Sequence, residues 1–226
     1  MDKRTIAFID ASNLFYGGEK SLGWKIDYQK LLYYLKEKYR VSSSLYFGGV
    51  EIYDFEYDYM AQETVPVNDI KEYLVDKIKN KGNKLSDASL MLIDRHLQRI
   101  KFYLKLNSFG YELHLKPVKL FYESYDNEVV TKRKANCDVD MAFYLMKEKD
   151  NFDSAIVLSG DGDFLPVLKY LKNEGKEIII LSRGPRTAKE IRQFAGGNFR
   201  DFVKLEKSIK FAENKRDGHT KYPPHV

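Results

Sequence analysis

The sequence predicts a doubly wound α/β domain with a parallel central sheet, and three observations lead there. Short apolar runs of strand length alternate with amphipathic stretches of helical period. The helical stretches are long enough to serve as crossovers between parallel strands. The apolar runs end abruptly on Asp or Gly, as strands do where they open into loops.

In chain order, Thr5 to Ile9 (TIAFI) is a buried strand that stops at Asp10. Asp27 caps a helix over Tyr28 to Tyr39, because Leu31, Leu32, Leu35 and Tyr39 recur at helical spacing. Ser44 to Val50 is a second strand, closed by Gly48 and Gly49. The polar, tyrosine-rich stretch from Glu51 to Asn83 has little periodicity apart from a short helix over Asp69 to Lys79. Ser86 or Asp87 opens a long helix, with Leu90, Ile93, Leu97, Ile100 and Leu104 on one face and Gly110 as its stop. Tyr111 to Val118 is the third strand. Helix, strand, helix and strand follow over Val139 to Lys149, Ala155 to Ser159, Phe164 to Asn173 and Glu177 to Leu181, and a last helix spans Thr187 to Phe194. One domain is expected over residues 1–206, with the tyrosine-rich and helical stretch at about 51–110 as an insert and a polar, disordered tail at 207–226.

The 226 residues carry a net charge of +5, which allows a nucleic acid as partner without requiring one. With one cysteine, no signal-like start and no apolar run of about 20 residues, a soluble cytoplasmic protein without disulfide or membrane span is expected. There is no Walker loop and no GxGxxG. His96, His114, His219 and His225 are scattered and read as surface or partly packed residues, not as a zinc cluster.

The chemistry lies in the acids. In open parallel sheets, ligands bind beyond the carboxyl ends of the strands. Asp10 follows the first strand, Asp138 and Asp140 come after the third and open a helix, and Asp161 and Asp163 follow AIVLS. Singly, each has an ordinary reading: a strand end, a partner of the helix dipole, a turn. Jointly they need a cation or protons, since two unit charges 4 Å apart repel by about 4 kcal/mol at an effective dielectric near 20. An all-oxygen set suits Mg2+ or Mn2+ and hydrolysis of a phosphoester. Ser159, just before Gly160 and Gly162, is placed to hydrogen-bond a phosphate or water, while the two glycines also suit a tight turn or a phosphate cradle. The run Lys132, Arg133, Lys134, and Arg183 with Arg186, are candidate backbone contacts or solvated surface. Phe15 or Tyr16 is a stacking platform or core. Arg95, His96, Arg99 and Lys101 read as the ordinary polar face of the long helix.

With IDASN, KANCDVDMAF and SGDGDFLPVLKYLKNEGKEIIILS in order, the chain resembles the NYN domain family, the LabA-like branch of the PIN-like nucleases, over roughly Arg4 to Leu205. The resemblance implies a Rossmann-like three-layer α/β/α sandwich and metal-dependent endoribonuclease action on single-stranded or structured RNA. It implies Asp10, Asp138, Asp161 and Asp163 as catalytic metal-site acids, Asn13 and Ser159 as polar neighbours, and Lys134 as the motif lysine. Two turns into the helix after Asp138, where many relatives carry a further acid, this chain has Tyr144. That departure keeps a non-catalytic RNA-binding module open beside the nuclease, and a small phosphoesterase is the third alternative. RNA is the expected partner, and the sequence leaves room for a homodimer.

Overall fold

Side chains along each central strand alternate between two apolar layers, which makes this a sheet buried on both faces. In β1 (Thr5–Asp10), Ala7 and Ile9 enter one core while Ile6 and Phe8 enter the other. In β6 (Ser154–Leu158), Ile156 and Leu158 join the first core, and Ala155 and Val157 the second. The structure is a computed structural model that describes residues 3–81, 84–125 and 128–212, with the side chains of 81 and 120–134 left outside that description.

Six strands run parallel in the order β3-β2-β1-β6-β7-β8. The others are β2 (Val41–Val50), β3 (Glu112–Pro117), β7 (Glu177–Ser182) and β8 (Phe199–Asp201). Strand order reverses between β1 and β6, the arrangement of a doubly wound nucleotide-binding sheet, so a crevice opens where their carboxyl ends part. The expected fold class is what forms: helices cover both faces of a parallel sheet.

One face carries α2 (Tyr28–Tyr39), α3 (Val67–Lys81), α4 (Asp87–Phe109) and the short α8 (Glu206–Ile209). Asp27 accepts from the Lys30 N–H at 3.1 Å to cap α2, and Ser86 accepts from the Ser89 N–H at 3.2 Å to cap α4. Gly110 ends α4 in the left-handed region, with φ 104°. The two helices within the 51–110 stretch supply Ile70, Leu74, Ile93, Leu97 and Ile100 to the main core. The opposite face carries α5 (Cys137–Lys147), α6 (Leu165–Asn173) and α7 (Lys189–Ala195), which bury Met141, Leu145, Leu168, Leu171 and Ile191.

Several elements depart from the sequence reading, the short edge strand β8 among them. Asp138 does not come straight after the third strand. Between β3 and α5 an antiparallel hairpin, β4 (Lys119–Tyr125) with β5 (Glu128–Lys134), stands outside the main sheet. Its two strand-forming runs flank a two-residue connection, a hairpin pattern that the sequence reading passed over. After β1 the chain enters a π-helical turn over Asn13–Glu19, followed by the single turn α1 (Lys20–Leu22). At the other end the fold extends past residue 206, since Ile209 is fully buried and the Lys210 backbone bridges to Ile26. The rest of the expected tail, residues 213–226, lies outside the described residues. Among the described residues no helix is long and apolar enough to cross a membrane.

Candidate active site

Asp10 is the centre of the crevice, and the strand period explains its direction. It continues the side of β1 that Ile6 and Phe8 occupy, so it faces the layer where α5 begins and meets Asp138 in that helix's first turn. Asp10 is 5 % exposed. Its carboxylate accepts from the Asn13 N–H at 3.0 Å and from the Ser159 hydroxyl at 3.0 Å. Burial, reinforced by the negative charge of Asp138, outweighs these bonds and raises its pKa from 3.8 to about 6.

Ser159 ends β6 and is buried; besides donating to Asp10, its oxygen accepts from the Asp161 N–H at 3.2 Å. This relay ties the ends of β1 and β6 together across the reversal. Gly160 is required there, because a Cβ would lie 2.6 Å from the Ser182 hydroxyl and 2.9 Å from Thr187 Cα. Asn13 turns its carboxamide oxygen to the Ser182 hydroxyl at 3.1 Å, so the end of β7 joins the same network.

Asp10, Asp138 and Asp161 line one pocket of about 300 Å3 with Ser12, Asn13, Tyr16 and Arg186. Asp163 lies outside that lining, exposed on the 3-10 turn Gly162–Phe164, where its N–H donates to Asp161 at 3.0 Å. Cys137 also lines the pocket, but burial together with Asp138 and Asp10 pushes its thiol up to about 12 and removes it as a nucleophile. Asp140 is drawn away by Lys116 at 2.6 Å. Arg183 is turned from the pocket to Asp201 at 3.2 Å, an ion pair that holds β8 against β7. The side chains of Lys132, Arg133 and Lys134 lie outside the described residues.

Tyr144 does not line the pocket. Its ring lies 4.1 Å from that of His114 and 5.7 Å from that of Phe47, and its hydroxyl donates to Glu63 at 3.4 Å. His96 is buried, not superficial, with Nε2 at 2.5 Å from Glu51. Neither histidine lines the pocket of Asp10, Asp138 and Asp161. The sequence reading missed Ser12, Ser182 and the inward turn of Arg99. Only Arg99 had a sequence signal, since it borders the apolar stripe one turn before Phe102 and Tyr103.

The donors of the pocket are hard oxygens, and a buried carboxyl with raised proton affinity beside a second carboxylate is chemistry that a divalent cation offsets. In kind, the residues fit Mg2+ or Mn2+. As they stand, no group of three His, Cys, Asp or Glu among the described residues converges enough to hold an ion. Repulsion between like charges opposes such convergence.

A parallel sheet of order β3-β2-β1-β6-β7-β8 with aspartates at its reversal defines a Rossmann-like α/β protein with an acidic crevice. The family is equally plain: the NYN domain family matches residues 4–203, so this chain belongs to it, and the family is of the PIN-like nuclease type. It is similar to the low amplitude and bright protein LabA of Synechococcus elongatus, 22% identical over 191 residues that cover 84% of this chain and 78% of that one. A crystal structure of a protein of unknown function from Vibrio parahaemolyticus shares the fold with a TM-score of 0.54, 17% identity, and coverage of 93% of this chain and 99% of that one.

Proposed function

We propose that this protein is a metal-dependent endoribonuclease that hydrolyses phosphodiester bonds of RNA in the crevice between β1 and β6. One observation carries the reading: a buried Asp10 with a raised pKa shares a pocket with Asp138 and Asp161, and Arg186 supplies positive charge at its edge. Asp10, Asp138 and Asp161 would hold Mg2+ or Mn2+, with Asp163 beside them; the bound ion supplies charge stabilisation and lowers the pKa of a water. The protein's own part is positional. Ser159 and the Asn13 backbone orient the Asp10 carboxylate, Asn13 is itself fixed by Ser182, and Arg186 can take a phosphate oxygen.

Purified protein incubated with labelled single-stranded RNA and Mn2+ should release fragments, and chelator or Asp161→Asn should stop it. Cleavage that persists through both would sink the metal mechanism. A second reading, an RNA-binding module without turnover, is favoured by Tyr144, which packs against His114 and Phe47 where the family resemblance leads one to expect a further acid. It predicts salt-sensitive RNA binding with no cleavage under any divalent ion.

A further inference from the structure

Beside the acidic pocket lies a second cavity of about 60 Å3 that no step above uses, and Ser12 and Tyr16 line both. Its walls are aromatic: Tyr28 and Tyr46 are buried in the core, and Phe102 and Tyr103 come from α4. Into this setting α4 turns Arg99, the cation that the sequence assigned to a solvated face.

Arg99 is held in place. Its guanidinium lies 5.8 Å from the Tyr103 ring centroid. Tyr103 is anchored in turn by donating to the Gly49 carbonyl at 2.6 Å. Glu51 also acts on the charge of Arg99, after Tyr103 and Tyr46. A guanidinium fixed in apolar surroundings interacts strongly with an anion that reaches it, because little water screens the charge. The small volume suits a tetrahedral group better than a nucleobase with its sugar.

We propose that this cavity is a phosphate subsite, in which Arg99 and the Ser12 hydroxyl take an RNA phosphate adjacent to the one at Asp10, Asp138 and Asp161. Half-exposed Tyr16, between the two pockets, then lies where the intervening nucleoside passes. The inference rests on RNA as the ligand of the acidic crevice but not on turnover.

The test is binding of a fluorescein-labelled single-stranded RNA to the full chain in EDTA across a range of salt, followed by anisotropy. Arg99→Gln should weaken binding about tenfold, the loss of one charge-assisted contact. The slope of log affinity against log salt should fall by about 0.7. Arg99→Lys should keep the slope and part of the affinity. In an Arg186→Ala background, inorganic phosphate should compete with RNA better than chloride at matched ionic strength. A folded Arg99→Gln protein with wild-type affinity and slope overturns the subsite. Should that variant not fold, phosphate competing no better than chloride overturns it, as does a wild-type chain that binds no RNA. Because no metal is present, the nuclease reading fails separately: Arg99-dependent binding without cleavage in Mn2+ keeps the subsite and removes the nuclease, and Arg99-independent binding with cleavage does the reverse.

Discussion

Asp10→Asn should make this protein more stable and, on the proposed function, abolish cleavage of RNA. The carboxyl is 5 % exposed, and its pKa rises from 3.8 to about 6, chiefly through burial. Below pH 3.8 the group is neutral in both states and imposes no penalty. Between 3.8 and 6 the unfolded chain ionises first, and above 6 the full penalty stands, about 3 kcal/mol for a difference of that size. Asparagine retains the acceptor for the Asn13 N–H, and the Ser159 hydroxyl can rotate to accept from the new amide. Urea unfolding in EDTA should therefore show Asp10→Asn about 3 kcal/mol more stable than wild type at pH 8, with about half that gain at pH 5. A variant no more stable than wild type at pH 8 would mean that the buried carboxylate carries no penalty for the mutation to relieve.

Three further outcomes are expected. Glu19, buried with its carboxylate accepting from the Ile26 N–H at 3.2 Å, is raised to about 7 by burial; wild type should lose about 3 kcal/mol between pH 4.5 and pH 7 relative to Glu19→Gln, read by urea titration at each pH. Arg183→Ala should cost about 1 kcal/mol of stability with RNA affinity unchanged, because its partner is Asp201, whereas Arg186→Ala should spare stability and lower the salt slope of RNA binding by about 0.7. Gly49→Ala should destabilise by about 1 to 3 kcal/mol and reduce cleavage, as its Cβ would lie 2.6 Å from that of Ala135 and push back the segment that delivers Asp138; denaturant midpoints and initial rates check both.

Much of the architecture was legible because local signals were strong. The cap at Asp27, the apolar spacing of Leu31, Leu32 and Leu35, and the Gly110 stop are interactions within a few residues, and the structure forms α2 and α4 at those bounds. The hairpin over 119–134 and the edge strand β8 were missed. The first was hidden because runs such as FYESY carry no contrast between an inside and an outside. The second was hidden because three residues are too few for a period.

For the candidate site, local sequence supplied the candidate inventory and its side of the sheet: aspartates and Ser159 at strand ends, with Asn13 and two glycines between them. Which of these meet depends on packing between distant elements. Asp10, Asp138 and Asp161 share a pocket, whereas Asp163 stays outside its lining and Asp140 turns to Lys116. It separated Arg186, on the pocket, from Arg183, committed to Asp201, and brought Arg99 in from an apparently solvated helix face. The reason is physical. Where a strand ends follows from neighbouring residues, but a charge's environment is set by other elements of the fold, as Ser159 and Asp138 set it for Asp10 and Asp201 for Arg183: burial, the partner that offsets the charge, and the resulting pKa all come from packing.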